Sequence, residues 1–287
     1  MPEEMSEESR ADELTDWSDR LERAIIGTRF DSRRVRVMAT CDSTQDHARN
    51  LGRGSVVTTG RQVAGRGRLG RSWIDDQGAG VAVSLALPAL APDLACIATA
   101  VGTLDAVRTS LSGGDAAVAA AGRRLGLKFP NDLVDRETGR KVAGILVEVV
   151  DGVAVVGIGL NVGRRDWPTG LHAIGLEEMV GSPVARIPTR IQILEHLLPA
   201  IDRSWGASPS DLDRRFAAEH VPTGGMVDVE EDVVGGPARR IRGTLRSIDP
   251  RRTLEVDGRD GVVVITAARA RILSWGSIAS DPDHSSS

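Results

Sequence analysis

The stretch from Leu125 to Gly159 constrains the fold most, because four apolar runs follow one another with almost no chain between them. The runs are Leu125 to Phe129, Asp132 to Asp135, Lys141 to Val150 and Val153 to Gly159, with turns at Pro130-Asn131, Glu137-Thr138-Gly139 and Asp151-Gly152. Connections this short cannot carry a parallel crossover, so the runs read as an antiparallel meander. Gly80 to Leu90 is a further apolar stretch; it contains Pro88 and is too short to span a bilayer, so it reads as a buried strand ending in a turn.

Helical patterns flank these strands. Asp12 to Ile26 reads as one helix behind an acidic lead, and Ser43 is placed to cap a short helix through Leu51. Pro92 opens an apolar helix reaching about Ser112, and the Ala-rich piece around Ala116 to Ala121 is expected to extend the packing. Pro188 to Trp205 and Ser210 to Glu219 complete the set, with Ser210 as a cap, before Pro222 and Gly224-Gly225 interrupt the chain. Strand signals also occur at Val35 to Ala39 and at Ser55 to Thr59. From Met226 to Leu273 short β-rich runs (Val227 to Val229, Ile241 to Ile248, Thr253 to Val256, Val262 to Ile265) alternate with turn residues, as in a small barrel. The reading therefore divides the chain into an acidic segment 1–33, a large domain 34–221, a small barrel 222–275 and a disordered Ser-rich tail 276–287.

Composition narrows the class. A net charge of −4 gives no global positive field for nucleic acid or an anionic membrane, and two cysteines make no disulfide framework. The acidic start lacks the basic and apolar regions of an export signal, so the expected location is the cytoplasm.

Four segments carry chemistry. Gly60-Arg61-Gln62-Val63-Ala64-Gly65-Arg66-Gly67-Arg68-Leu69-Gly70-Arg71-Ser72-Trp73 interleaves arginines and glycines without an acid, and reads as neither helix nor strand. Glycines let backbone N–H groups approach a ligand while guanidinium forks pair with phosphate or carboxylate oxygens. On composition alone it is equally an unstructured basic loop or a segment that binds single-stranded nucleic acid by charge. It lacks the Gly-Lys-Ser/Thr ending of a P-loop. Lys128-Phe129-Pro130-Asn131-Asp132 is, by itself, ordinary turn chemistry beside a lysine and a carboxylate. Lys141, just past a hairpin turn, leads an apolar strand; it is either an exposed hairpin lysine or an ammonium set between a carboxylate and a phosphate. Gly157-Ile158-Gly159-Leu160-Asn161-Val162 ends a strand in small residues, which suits either a bulge or backbone lining a pocket.

Together with Asp42-Ser43-Thr44-Gln45, these segments stand in the order and spacing of the biotin protein ligases, and the chain resembles that family from about Val35 to Val162. The resemblance implies an α+β fold of the class II synthetase-like type, with a mixed, largely antiparallel sheet, packed helices and a following SH3-like barrel. It implies activation of biotin with ATP to biotinyl-5'-AMP, then transfer to a lysine of a biotin carboxyl carrier domain of an acyl-CoA or pyruvate carboxylase. The Gly-Arg loop is implied to fold over the ligands, sheltering a hydrolysable acyl-adenylate from water.

By the same resemblance, Ser43, Thr44 and Gln62 hydrogen-bond the ureido ring of biotin and Lys141 and Arg66 meet its carboxylate, with Gln45, Gly65, Gly67, Arg68, Gly157 and Gly159 completing the biotin site. Arg66, Arg71, Trp73, Lys128, Asn131 and Asn161 are expected on the ATP side, Trp73 near the adenine and the two asparagines near the nucleotide and its magnesium. Lys141, Arg68, Arg71 and Asp132 are the catalytic set, Asp132 to orient the acceptor amine or take its proton. Phe129 stands where the family usually has tryptophan and Val63 where a polar residue or threonine is common; both are expected to keep the site apolar. About thirty residues of acidic bias ahead of Val35 leave no room for a winged helix-turn-helix, so a ligase without repressor activity or a DNA partner is expected. A lipoate or octanoate transferase on the same scaffold and a nucleic-acid-binding protein are the alternatives. Oligomeric state is left open.

Overall fold

The computed structural model describes residues 14–74, 79–181, 186–233 and 235–276. The expected acidic lead, the start of the first helix at Asp12 and the Ser-rich tail from 277 onward lie outside the described residues. The seven-stranded sheet is built from β1 (Val35–Cys41), β2 (Val56–Gln62), β5 (Gly80–Pro88), β6 (Leu125–Lys128), β7 (Asp132–Asp135), β8 (Lys141–Val150) and β9 (Val153–Asn161). Its order is β1-β2-β5-β9-β8-β7-β6. Only β1 and β2 run parallel; β6 to β9 form the expected meander. The β8–β9 turn places Asp151 at φ 49° and Gly152 at φ 75°, the doubled left-handed geometry that matches the twist of a tight hairpin.

One face of this sheet is the main core. The helix α3 (Pro92–Ser112) lies across β6 to β9 and packs on α6 (Arg190–Trp205), α4 (Ala116–Arg124) and α7 (Pro209–Glu219). Among the described residues α3 alone is long and apolar enough to cross a membrane, and it is mostly buried as a core helix. The other face carries α2 (Thr44–Leu51), whose Ala48 packs on Val57 and Val155. Helix α1 (Trp17–Ala24) buries Trp17 and Leu21 beside α6, where Arg20 forks onto Glu195 at 2.8 and 2.7 Å. A short α5 (Leu176–Val180) was not foreseen, because five residues carry too little periodicity to read.

Helix ends depart from the sequence reading in physical detail. Ser43 stands at the N-cap of α2 without a capping hydrogen bond from its side chain. Ser208, not Ser210, caps α7, because Pro209 takes the first helical position, where a missing N–H costs nothing. Thr189 and Gln192 form a capping box that starts α6 at Arg190 rather than Pro188. The Ala-rich piece is a separate helix, α4, started by Asp115 accepting from the backbone N–H groups of Ala117 and Val118. The Gly/Arg stretch is not irregular throughout: β2 runs on to Gln62, and β3 (Gly65–Arg66) pairs with β4 (Ser72–Trp73) as a small hairpin.

A second sheet follows, of β10 (Met226–Glu231), β11 (Arg239–Asp249), β12 (Thr253–Gly258), β13 (Gly261–Thr266) and β14 (Ala270–Gly276). All pairings are antiparallel in the order β13-β12-β11-β10-β14. Helix α7 joins it to the larger sheet: Glu219 accepts from Arg108 at 2.7 Å and from Arg136 at 2.5 Å, while Arg251 forks onto Asp213. The Arg108 hydrogen bond holds the Glu219 carboxyl below its usual range.

Asp135, with no exposed surface, accepts from Arg124 at 3.0 and 2.6 Å and from Thr138 at 2.6 Å. Burial alone would raise its pKa; the hydrogen bonds from Arg124 and Thr138 outweigh this and lower it below its ordinary 3.8. A depressed carboxyl pKa contributes stability that is present above the ordinary value and lost as pH falls through the folded one. Asp135→Ala is therefore expected to cost about 1–3 kcal/mol in urea unfolding at pH 7, since it removes the buried acceptor of Arg124 and Thr138 while Arg124 keeps Glu137 and the Met179 carbonyl. The difference from wild type should shrink in the same titration as pH is lowered past about 4.

Candidate active site

The floor of the site is a patch where paired strands lack side chains. On the sheet face that carries α2, Ala82 of β5 pairs with Gly159 of β9 and Gly159 with Gly144 of β8; one step along, Ser84 pairs with Gly157 and Gly157 with Leu146. Alternate residues of a strand share a face, so these two rows lie side by side. A Cβ on Gly157 would stand 2.5 Å from Gln45 Oε1, and one on Gly159 would stand 2.3 Å from the Trp73 ring. Glycine at both positions is thus required by close approach.

Above this floor opens a cleft of about 480 Å³ lined by Ser43, Thr44, Gln45, Gln62, Trp73 and Ser84 on one side and by Arg66, Arg68, Asn131 and Lys141 on the other. Its polar end is a chain of buried hydrogen bonds. Thr44 donates from its backbone N at 2.9 Å and its hydroxyl at 3.1 Å to Gln62 Oε1, and its Oγ1 lies 2.8 Å from Ser84 Oγ. Ser84 donates to Gln45 Oε1 at 3.1 Å, and Gln45 Nε2 donates to the Val155 carbonyl at 2.9 Å and to Glu148 at 3.2 Å. A buried network this fully satisfied holds its members in one geometry.

The cationic rim comes from the Gly/Arg hairpin and from β8. Arg68 donates to Asn131 Oδ1 at 3.0 Å, and Asn131 donates to the Ile145 carbonyl at 2.7 Å. Lys141 pairs with Asp132 at 2.7 Å and faces the Trp73 ring at 5.8 Å. Arg66 is drawn to the flank, donating to Asp46 at 2.7 Å with Glu148 at 3.9 Å, while Arg49 pairs with both of those acids. Arg66, Arg68 and Lys141 nonetheless share one cleft. A second opening of about 1080 Å³ under the hairpin is lined by Gly65, Arg66, Gly67, Arg68, Gly70, Arg71 and Trp73 among others.

Not every predicted residue reaches the main cleft. Gly65 and Arg71 line the second opening instead, and Asp132 meets the site through Lys141. Asn161 lines neither: its amide donates to the Lys141 carbonyl at 3.1 Å and its oxygen accepts from Arg165 at 2.9 Å, so it braces the start of β8. Lys128 also lines neither and is half-buried beside Asp132, Lys141 and Arg71; partial burial lowers its pKa from 10.5, Asp132 opposing that and the two cations adding to it. Phe129 is buried as expected, but Val63 is 54% exposed on the rim of the second opening, so it does not keep the site apolar.

Several contributors went unread in the sequence. Ser84, Ala82 and Gly144 carry a period-two small-residue signal that becomes meaningful only once β5, β9 and β8 are known to be neighbours. Arg190, buried in α6, donates to the carbonyls of Gly60 at 2.9 Å and Gly80 at 3.3 Å, tying together the two strand ends that carry the Gly/Arg hairpin. The Cys96 thiol, pushed up to about 12 by burial, donates to the Pro130 carbonyl and is no nucleophile.

Residues 32–164 match the biotin/lipoate A/B protein ligase family. A biotin–[acetyl-CoA-carboxylase] ligase of Mycobacterium tuberculosis is 31% identical over 73% of this chain and 76% of its own length. The bifunctional ligase/repressor BirA of Bacillus spizizenii is 32% identical over 54% of this chain, which spans about half (47%) of that protein. The biotin protein ligase of Aquifex aeolicus, solved in complex with biotin and ATP, superposes with a TM-score of 0.68 at 22% identity, covering 84% of this chain and 98% of that one; it supports the fold alone. With a relative above 30% identity matched over most of both chains, this protein belongs to the biotin/lipoate A/B protein ligase family, as a biotin protein ligase.

Proposed function

We propose that this chain activates biotin with ATP to biotinyl-5'-AMP and passes the biotinyl group to a lysine of a biotin carboxyl carrier domain of an acyl-CoA or pyruvate carboxylase. The observation that carries the reading is a single cleft whose lining joins the buried Thr44–Gln62–Ser84–Gln45 chain to the cations Lys141 and Arg68, with Arg66 at its flank beside Asp46. A ureido ring has donors and acceptors that this chain can match, and a carboxylate extended from it would arrive near Lys141 and Arg68. The names of the relatives point to the same substrates.

In the first step a carboxylate oxygen of biotin attacks the α-phosphorus of ATP, and the bond to pyrophosphate breaks with its electron pair. Negative charge accumulates on the phosphoryl oxygens, where the Lys141 ammonium and the Arg68 guanidinium act as fixed positive charges. In the second step an acceptor amine attacks the acyl carbonyl, AMP leaves as the anion, and the amine sheds a proton. Asp132 stands 2.7 Å from Lys141, so a substrate anion that takes over the lysine frees this carboxylate to orient the incoming amine or take its proton. Arg71 and Trp73, under the same hairpin, are assigned to the nucleotide, with Asn131 between them and the acyl group.

Magnesium enters as MgATP. Among the described residues no group of three His, Cys, Asp or Glu forms a protein cage, so its ligands would be phosphate oxygens and water. No repressor role is assigned: α1 has its apolar face buried and Arg20 held by Glu195, and its exposed face sets the acids Asp19 and Glu22 beside Arg23, a poor match for DNA phosphates. A cytoplasmic location goes with this reading.

Biotin-dependent pyrophosphate exchange into ATP tests the first step, with lipoate in place of biotin as the control; turnover with lipoate alone would overturn the substrate assignment. Lys141→Ala should lower exchange by about 10² to 10³-fold with an unchanged circular dichroism spectrum. Arg68→Gly should still form adenylate but release it, seen as biotinylation of bystander proteins; retention equal to wild type would remove Arg68 from the lid. Gly157→Ala displaces the Gln45 carboxamide and should raise the KM for biotin about tenfold while leaving that for ATP near wild type.

A further inference from the structure

Beside the cleft, four charged side chains close a ring to which the reaction described above assigns no part. Asp46, in the first turn of α2, accepts from Arg66 at 2.7 Å and from Arg49 at 3.3 Å. Glu148 of β8 accepts from Arg49 and, at 3.2 Å, from the Gln45 amide, and it stands 3.9 Å from Arg66. Each arginine thus faces both acids. Of the four, Arg66 alone belongs to the Gly/Arg hairpin, and it lines both the cleft and the second opening.

Three observations make this ring a temporary seat for Arg66 rather than a fixed support. The side chains of Arg66 and Asp46 are 41% and 48% exposed, so water screens their pair and leaves it weak enough to exchange. Arg49 still joins Asp46 to Glu148 once Arg66 is gone. A carboxylate in the first turn of a helix is also favoured by the helix dipole, so Asp46 tolerates the loss of one partner.

The anion that competes for Arg66 changes during the reaction. Free biotin offers a carboxylate with a full negative charge. Once a carboxylate oxygen is bonded to the α-phosphorus, that charge is gone from the acyl end, and the remaining charge lies on the phosphoryl oxygens assigned to Lys141 and Arg68. Coulomb attraction then favours the two acids at the flank. We propose that Asp46 and Glu148 are positioning residues that compete with the substrate carboxylate for Arg66. The guanidinium crosses to the cleft when biotin binds and returns to the flank when the adenylate has formed, which uncovers the acyl carbonyl for the acceptor amine. The inference rests on the ligase reading above. Holding Arg66 away from the ligand raises the apparent Kd of biotin in proportion to the fraction of molecules so held, and leaves untouched a ligand that does not engage Arg66.

Titration calorimetry on the full chain tests the competition. Asp46→Asn should tighten biotin binding about three- to fivefold, the range of an exposed ion pair. The Kd of the biotin alcohol, with CH2OH in place of the carboxylate, should stay within about 1.5-fold. Asp46→Glu should resemble wild type, and Asp46→Asn placed on Arg66→Ala should change nothing further. The return of Arg66 is read by hydroxylamine attack on preformed, enzyme-bound biotinyl-5'-AMP, which should slow in Asp46→Asn by a similar factor. Unchanged or weaker biotin binding, an equal shift for the alcohol, an effect that survives without Arg66, or unslowed attack by hydroxylamine would each overturn the inference. If Asp46→Asn does not fold, Glu148→Gln decides it, since it keeps an oxygen for Gln45 and should move both readouts in the same directions. A wild type that binds no biotin would overturn the ligase reading and this inference with it; one that binds biotin with an indifferent Asp46 overturns this inference alone.

Discussion

A cleft can open on the face of a continuously hydrogen-bonded sheet only where side chains are missing, and everything else about this site depends on that requirement. The rows Ala82–Gly159–Gly144 and Ser84–Gly157 supply the gap in the middle of the sheet, where β5, β9 and β8 are most rigidly paired. Into it project the start of α2, with Thr44 and Gln45, and the indole of Trp73 from the Gly/Arg hairpin. Rigid floor and movable cover thus come from different kinds of structure, one held by ladder hydrogen bonds and the other by a few ion pairs.

The cations over the cleft each have a stand-in partner within the protein. Arg66 uses Asp46, Arg68 uses the Asn131 carbonyl oxygen, and Lys141 uses Asp132. Under the proposed function anionic substrates would replace these partners, exchanging one polar partner for another rather than burying bare charge, which keeps the desolvation cost small. Arg190, by holding Gly60 and Gly80, fixes both roots of the segment and leaves its Arg-rich tip to local contacts.

The junction between the sheets has the opposite character. Glu219 receives two arginines, Arg251 forks onto Asp213, and His220 stacks on Phe216, its pKa lowered by burial to about 3 so that the ring is neutral across the physiological range. A paired, dry junction of this kind fixes one sheet relative to the other, which a cross-sheet contact such as that of Lys128 with Trp275 requires.

Local chemistry is legible in a sequence where short-range rules act alone. The β6 to β9 meander, the Asp151-Gly152 turn and the cationic character of the Gly/Arg stretch follow from strand propensity, turn geometry and charge. The main helices follow too, with errors of a few residues where caps compete, as Ser208 displaced Ser210. The family was readable from five short motifs in order, each weak alone. What only the tertiary structure decided is which of those residues share a cavity. The order in which β5, β9 and β8 sit side by side turns scattered small residues into a floor. Packing tied Asn161 to the Lys141 carbonyl and set Lys128 against Trp275, while Arg66 turned to the flank. The physical reason is that side-chain direction in a sheet depends on neighbours far away in the chain, and a cation settles on whichever anion or ring the fold brings within reach.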